Sequence, residues 1–166
     1  MRAIYPWQQE QWRRLMARHE EGRLPHALLL TGMGGMGKQQ FATALAQALL
    51  CRYRDSEGFA CGDCPACKRF QAGAHPDFLP LMPEDEGKAI TVDKVRQVSE
   101  FLVLKSHYEG SRIVTLTPAE AMNAAAANSL LKTLEEPAPG TLLILLASAP
   151  GVLLATIRSR CQRINI

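Results

Sequence analysis

The sequence predicts an α/β fold in which a mostly parallel, doubly wound sheet carries helices on both sides. The apolar segment 26–31 leads directly into a glycine-rich loop, and Phe41, Leu45 and Leu49 then recur at helical spacing. Further apolar strand segments alternate with helical patterns along the chain, and repeated strand–helix units of this kind form parallel sheets. The 166 residues suffice for one domain with its own core and a small insertion.

Local sequence patterns predict the helix before this first strand–loop–helix unit and the strand and helix that follow it. Near the start, Tyr5, Trp7 and Trp12 are expected in a leading amphipathic helix that packs on the core; an aromatic platform for a ligand is the alternative. Segment 77–82 resembles an edge strand, which tolerates Pro80. Residues 91–104 follow as a helix that begins with Thr91 and buries one face, made of Val95, Val98 and Leu102.

Three strands and a helix complete the prediction. Segment 112–117 has the composition of a buried strand. Asn123 can cap the next helix, which must end near Pro137 because proline disfavours helix in the residue before it. Segment 142–147 is continuously apolar, as in strands buried on both faces, and 163–166 supplies a last short strand. The inward face of the capped helix is expected to hold Ala127, Leu130, Leu131 and Leu134.

Composition and charge exclude few functions. Hydrophobic residues make up 47% and charged residues 21%, the balance of an ordinary globular domain. The net charge of +3 is too small to indicate nucleic-acid binding by itself. The first seven residues lack the apolar stretch of a signal peptide, and the longest apolar run, 142–147, is far shorter than a membrane span. We therefore expect a cytoplasmic protein.

The glycine-rich loop is an incomplete phosphate-binding loop. Gly32-Met33-Gly34-Gly35-Met36-Gly37-Lys38 has the glycines whose backbone N–H groups cradle phosphates, and the lysine that neutralises their charge. The next residue of a nucleotide-hydrolysing loop is Ser or Thr, whose hydroxyl binds magnesium, but here it is Gln39. The candidate phosphate ligands are thus Gly32, Gly34, Gly35, Gly37 and Lys38, without a magnesium ligand beside them.

A second part of an NTPase site is also missing. In P-loop NTPases an acidic residue at a strand end helps to hold magnesium, whereas the strand 112–117 ends in Thr117 and Pro118. Glu120 lies three residues beyond Thr117 and is a weak substitute because the geometry of metal sites is strict. The sequence predicts the scaffold of an NTPase without its chemistry, and it leaves ATP binding at Lys38 open.

Four cysteines predict a metal site. Cys51, Cys61, Cys64 and Cys67 have the spacing C-x9-C-x2-C-x2-C, which can bring four thiolates around one tetrahedral ion. We predict a structural Zn²⁺ site within an insertion at about 51–67; redox pairs and free thiols are the alternatives. The flanking residues Arg52, Lys68 and Arg69 are either solvated or able to meet nucleic acid.

The longest motifs lie in the second half of the chain. Asn128-Ser129-Leu130-Leu131-Lys132-Thr133-Leu134-Glu135-Glu136-Pro137, followed by Thr156-Ile157-Arg158-Ser159-Arg160-Cys161, resembles the AAA+ clamp-loader family. Together with the cysteine insertion, the resemblance narrows to subunits of bacterial DNA polymerase III loaders. Two subunit types share the zinc module, the ATPase tau/gamma and the delta prime type. Gln39, Thr117 and Pro118 depart from the ATPase pattern, and Tyr5-Pro6-Trp7 and His75-Pro76-Asp77 are similar to delta prime.

The resemblance covers essentially all of residues 1–166, as one AAA+ P-loop-like domain, and implies that the family's C-terminal lid and collar domains are absent from this chain. It implies a scaffold in a ring with tau/gamma and delta subunits, which loads the sliding clamp on primed DNA as part of the DNA polymerase III holoenzyme. It also implies that Arg160 reaches the ATP of a neighbouring subunit, a role suited to a guanidinium.

The sequence leaves alternatives open for one residue and for the whole chain. Arg158 is a competing arginine, and Arg160 in a salt bridge within the chain is the plain alternative to a role in trans. For the whole chain, the alternatives are an active ATPase of the same family and a zinc-dependent DNA-binding module. The lack of a dense basic and aromatic patch in the sequence counts against the last of these.

Overall fold

The computed structural model describes residues 4–108 and 110–166, and its strands form one parallel sheet. The sheet has five strands in the order β2–β3–β4–β1–β5. The strands are β1 (Ala27–Thr31), β2 (Phe78–Leu81), β3 (Arg112–Leu116), β4 (Thr141–Ala147) and β5 (Gln162–Asn165). The α-helices in these described ranges are α1 (Gln9–Glu20), α2 (Lys38–Leu50), α3 (Pro65–Gln71), α4 (Val92–Val103), α5 (Ala124–Glu135) and α6 (Ala155–Arg160).

Helices cover both faces of the sheet. Successive side chains of a strand point to opposite faces, so that in β1 Leu28 and Leu30 pack on one side and Ala27 and Leu29 on the other. The first side is covered by α1 and α2, and the second by α4, α5 and α6. The doubly wound α/β fold predicted from the sequence is therefore confirmed.

The strand and helix predictions are confirmed to within a residue or two. β2 is an edge strand and contains Pro80, while α4 buries Val95, Val98 and Leu102. The side chain of Asn123 caps α5, because its Oδ1 accepts a hydrogen bond of 2.9 Å from the N–H of Ala126. β5 begins one residue earlier than predicted, at Gln162.

The expectation for the N-terminal aromatic residues is wrong for two of the three. Trp12 lies in α1 and is buried. Tyr5 and Trp7 precede α1, and Trp7 lies in a short 3₁₀ turn, Pro6–Gln8. Their rings are stacked with centroids 4.6 Å apart, and Trp7 is 51% exposed. Pro6 sets this turn, since its fixed φ favours a first helical position and leaves Tyr5 extended.

Adjacent strands bring three loops together. The carboxyl ends of parallel strands meet at one edge of the sheet, which is where open α/β sheets bind ligands. The glycine loop follows β1, Thr117 follows β3 and Ser148 follows β4, and β4 lies between the other two strands. In the described ranges, every helix is too short or too polar to cross a membrane.

Candidate functional site

The glycine loop adopts a backbone that only glycine accepts easily. Gly35 and Gly37 have φ values of 80° and 84°, in the left-handed region. Gly37 is the N-cap of α2, so the loop delivers the chain to the first turn of a helix. Unpaired N–H groups at such a turn favour anions, which is the arrangement that the sequence predicted.

Residues 5–8, called the N-terminal segment below, lie against this loop, a contact that was not predicted from the sequence. The buried side-chain amide of Gln8 donates hydrogen bonds to the carbonyls of Met36, at 2.9 Å, and Gly37, at 3.3 Å. The indole N–H of Trp7 donates to the same Met36 carbonyl at 3.4 Å. These hydrogen bonds hold the carbonyls of Met36 and Gly37 towards Trp7 and Gln8. No local pattern signals them, because 28 residues separate Gln8 from Met36.

The ammonium group of Lys38 is fully engaged by the protein. Its Nζ donates to the carbonyls of Gly32, at 2.7 Å, and Met33, at 2.8 Å, and to the hydroxyl of Ser148, at 3.0 Å. A lysine ammonium has three donors, and all three have an acceptor here. Burial lowers the pKa of Lys38, and the nearby carboxylate of Glu120 opposes that shift. The ammonium group that would bind a phosphate is therefore already hydrogen-bonded to carbonyls of the glycine loop.

Glu120 takes a different role from that of a metal ligand at a strand end. Its Oε1 accepts hydrogen bonds from the backbone N–H groups of Ser148, at 2.9 Å, and Ala149, at 3.2 Å. It thereby holds the segment that follows β4 beside the loop after β3. Its Oε2 is buried and has no hydrogen-bond partner among residues 4–108 and 110–166. Thr117, which directly follows β3, offers a hydroxyl instead of the carboxylate that magnesium prefers.

The four predicted cysteines converge. The Sγ atoms of Cys51, Cys61, Cys64 and Cys67 all lie within 4.8 Å of one another. Cys51 Sγ lies 3.6 Å from that of Cys61 and 3.9 Å from that of Cys64, and Cys61 Sγ lies 3.9 Å from that of Cys67. A tetrahedral site with metal–sulfur bonds of ~2.3 Å has sulfur–sulfur edges of about 3.8 Å. The cluster could therefore hold one metal ion with little rearrangement.

Backbone amides surround the same sulfur atoms. The N–H groups of Tyr53 and Cys61 point at Cys51 Sγ, and those of Cys64 and Cys67 point at the Sγ of Cys61 and Cys64. Such N–H groups stabilise thiolates, and those of Asp63 and Cys64 lower the pKa of Cys61 to about 6. Burial raises the pKa of Cys67 to about 12, so that a neighbouring cation is needed to hold it as a thiolate.

Residues 51–71, which hold the four cysteines and α3 and are called the cysteine module below, pack on α1. The indole of Trp12 stacks on Phe59 with ring centroids 4.4 Å apart, and its N–H donates to the carbonyl of Glu57 at 3.0 Å. Gly58 faces Met16 so closely that an added Cβ would lie 3.0 Å from Met16 Cγ. Trp12 thus links the module to the core of the sheet.

Arg160 is partly exposed at the last residue of α6. One guanidinium nitrogen donates to the carbonyl of Thr156 at 3.1 Å, and the other lies 3.0 Å from Oε1 of Glu135. The side chains of Arg160 and Glu135 are 35% and 49% exposed, so this is a surface ion pair. Arg158 is exposed.

Comparison with known proteins gives a consistent result along the chain. A family model described as "DNA polymerase III, delta subunit" matches residues 7–166. DNA polymerase III subunit delta′ of Pseudomonas aeruginosa is 47% identical over 97% of this chain and 48% of its own length. The corresponding protein of Escherichia coli is 42% identical over 95% of this chain and 47% of its own length. The chain spans about half the length of these curated relatives.

Solved structures are similar in fold. A DNA polymerase III gamma subunit-related protein of Thermotoga maritima superposes with a TM-score of 0.70 at 23% identity, covering 96% of this chain and 45% of that one. The Holliday junction branch migration motor RuvB of the same organism gives a TM-score of 0.53 at 14% identity, covering 98% of this chain and 45% of that one. At such identities the likeness shows the fold alone.

Proposed function

The chain belongs to the DNA polymerase III delta-subunit family, with curated relatives named subunit delta′, and we propose that it acts in a clamp loader. In this proposal it hydrolyses no ATP of its own. It serves as a scaffold subunit beside tau/gamma and delta subunits, and it places Arg160 at the ATP site of a neighbour. Through the assembly it helps to load the sliding clamp on primed DNA within the DNA polymerase III holoenzyme.

The observation that carries the proposal is the state of the phosphate loop. Lys38 gives all three of its donors to Gly32, Met33 and Ser148, so a γ-phosphate would have to displace them. Gln39 and Thr117 stand where a hydroxyl ligand and an acidic ligand of magnesium are needed. The site lacks magnesium ligands, and its lysine is already hydrogen-bonded within the protein. Both features support a structural subunit, with ATP hydrolysed by other subunits of the loader.

The position of Arg160 supports a role in trans. A surface ion pair such as Arg160–Glu135 contributes only about 0–1 kcal/mol to stability. It orients the guanidinium but is weak enough for Arg160 to exchange Glu135 for another anion. A phosphate group offers stronger, bidentate partners to the same planar group. Arg160 ends α6 and keeps 35% of its side chain exposed, which leaves it within reach of a neighbouring subunit.

Zinc is the metal that we propose for the cysteine cluster. Four thiolates at tetrahedral edge lengths form a closed shell, and structural zinc sites have this composition. The ion would tie both ends of the loop between Cys51 and Cys61 to α3 and stabilise the module. All four protein ligands would be used, which leaves no open position for catalysis.

A loader reconstituted with full-length subunits tests the proposal. The delta prime subunit that carries this sequence is compared with its Arg160→Ala variant for ATPase stimulated by DNA and clamp. An arginine supplied in trans contributes about 10³ to 10⁵ in rate in well-studied systems. We expect a smaller loss here, because the work is shared among several sites, and we expect assembly to remain intact.

Two matched variants sharpen the result. Arg160→Lys should not restore the rate, because it keeps the charge and loses the planar fork. Arg158→Ala removes an exposed arginine two residues away and should have much less effect. Wild-type ATPase and clamp loading by the Arg160→Ala loader would remove the trans-arginine role and leave the scaffold role alone.

A further inference from the structure

A cavity of about 560 Å³ lies between the cysteine module and the segment that follows α4. We propose that this cavity binds a nucleotide unit of single-stranded nucleic acid, with a phosphate held by Arg52 and Arg69 and a base against Tyr53 or Tyr108. The site is separate from the glycine loop and from Arg160, and it goes beyond the function proposed above. Its remaining wall includes the apolar residues Leu49, Leu50, Pro65 and Ala66, together with Cys51 and Cys64 of the cysteine cluster.

Two arginines from different parts of the module converge on Tyr108. Arg52, next to Cys51, donates to the backbone carbonyl of Tyr108 at 3.3 Å. The guanidinium of Arg69, on α3, lies over the Tyr108 ring, 5.0 Å from its centroid. Each guanidinium has five N–H donors, so these contacts orient Arg52 and Arg69 and leave further donors for a phosphate. Both arginines are exposed and line the cavity.

Aromatic surface is available beside these charges. Tyr53 is 67% exposed and Tyr108 is 38% exposed, and both line the cavity. Exposed tyrosine rings next to arginines are the usual platform for single strands, because every base has a face that can stack. An acidic peptide would use the arginines alone. The two exposed tyrosines in the lining therefore favour nucleic acid as the ligand.

The floor of the cavity adds one buried N–H group. His75 is 5% exposed, and its Nδ1 accepts the backbone N–H of Asp77 at 3.1 Å. Because that nitrogen is an acceptor, the neutral ring carries its proton on Nε2. This Nε2 is buried and finds no partner in the described parts of the chain. A phosphate oxygen, directly or through one water molecule, would satisfy it.

The carboxylate that also lines the cavity does not oppose an anion strongly. Asp77 is 1% exposed, and its two oxygens accept hydrogen bonds from the backbone N–H of His107 at 2.9 and 3.1 Å. Arg112 Nη2 lies 3.6 Å from the same carboxylate and balances its charge. Arg112 also donates twice to the carbonyl of Lys105. Asp77 and Arg112 thus hold the segment that presents Tyr108.

Folding therefore assembles a basic and aromatic patch that the sequence does not display as a cluster. Arg52 and Tyr108 are 56 residues apart in the chain and are joined by a hydrogen bond. Neither the net charge of +3 nor any short basic run in the sequence predicts the cavity.

Fluorescence anisotropy with a labelled short oligothymidylate, titrated with the zinc-loaded chain at low salt, tests the proposal. Tyr53→Ala should weaken binding about five- to a hundredfold, the range seen when one stacking ring is lost. Arg52→Ala and Arg69→Ala should each weaken binding. Each should also reduce the slope of log affinity against log salt by about 0.7, the value for one phosphate contact to a single strand.

Controls separate this site from general charge. Arg23→Ala removes one exposed arginine that does not line the cavity and should leave both affinity and salt slope unchanged. Zinc content and melting temperature of every variant show that the module remains folded. The proposal fails if Arg23→Ala matches Arg52→Ala, or if no oligothymidylate binds. It also fails if polyglutamate or inorganic phosphate competes as well as unlabelled strand at equal charge.

Discussion

The ring of Tyr5 lies directly against Gly37, so that a Cβ added to this glycine would be 2.5 Å from Tyr5 Cδ2. The contact joins the N-terminal segment to the turn where the glycine loop enters α2. Position 37 requires a residue without a side chain for two reasons. The ring of Tyr5 takes up the space where a Cβ would lie, and the backbone has a φ of 84°. The loop is thus shaped by the protein's own N-terminal segment as well as by its motif.

Gly37→Ala should destabilise the protein. An L-residue in the left-handed region costs about 1–2 kcal/mol, and displacement of Tyr5 adds to this. Urea denaturation should show the loss as a lower midpoint. Gly34→Ala is the matched control, because nothing lies within 4 Å of a Cβ there, and it should change stability by less than about 0.5 kcal/mol. Equal midpoints for the two variants would mean that the Tyr5 contact does not constrain the loop.

The fold was predictable because its signals are local. Strand and helix periods, the Asn123 cap and the loop motif all depend on neighbouring residues, and the C-x2-C spacings predicted which cysteines would meet. The contacts that define the loop and the cavity are not local. Gln8 reaches Met36 across 28 residues, and Lys38 reaches Ser148 across 110. Only the packing of the sheet brings such pairs together, so periodicity and spacing could not reveal them.

The cysteine cluster should bind one equivalent of metal, and we expect zinc. Cys67→Ser should lose most of the metal, because a hydroxyl is a poor replacement for a buried thiolate. The fluorescence of Trp12 reports loss of the metal, because Trp12 stacks on Phe59 and donates a hydrogen bond to Glu57, both in the cysteine module. Its emission should shift to longer wavelength when the module loosens. Melting of the sheet should change much less, because it has its own core on both faces.

Cys161→Ser is the matched control for the metal prediction. Burial raises the pKa of Cys161 to about 11, so it stays a thiol, and it lies outside the cluster. Elemental analysis should find one equivalent in this variant and in the wild type. Freshly purified, reduced wild-type protein without bound metal would contradict the prediction.

Stability should fall as the pH drops below about 6.5, in part because of His75. Burial lowers the pKa of His75 from 6.5 in the folded protein, and Arg69 and His107 add to that shift while Asp77 opposes it. Between the folded and unfolded pKa values, the unfolded chain binds more protons, so acid favours unfolding. Above 6.5 both states are mainly neutral at this residue, and its contribution to the pH dependence disappears.

The variant His75→Asn tests this pH dependence. Its Oδ1 can accept the Asp77 N–H in place of Nδ1, and it has no proton to bind in this range. The free energy of unfolding, measured from pH 7 to pH 5, should depend less on pH in this variant. Some dependence should remain, since burial also lowers the pKa of His19. An unchanged slope would show that His75 is not a source of the acid sensitivity.

The isolated chain should release no phosphate from ATP in the presence of magnesium. Lys38 is held by Gly32, Met33 and Ser148, and Gln39 gives magnesium no hydroxyl. A single repair, Gln39→Thr, should not restore turnover. Thr117 still supplies no acid at the strand end, and Glu120 still uses an oxygen to hold the N–H groups after β4. Both absences must be repaired before a metal shell forms.

A phosphate-release assay over many hours gives this prediction its sharpest form, with Lys38→Ala as the matched control for contaminating ATPase. Wild type, Gln39→Thr and Lys38→Ala should all remain at the same background rate. Isothermal titration with ATP, with and without magnesium, adds an independent readout. If the site held magnesium, the affinity for ATP would depend on magnesium; because it has no magnesium ligands, we expect the same result with and without the ion. Turnover in the wild type that disappears in Lys38→Ala would establish an active ATPase and overturn the silent-subunit proposal, since only a working phosphate loop loses activity with its lysine.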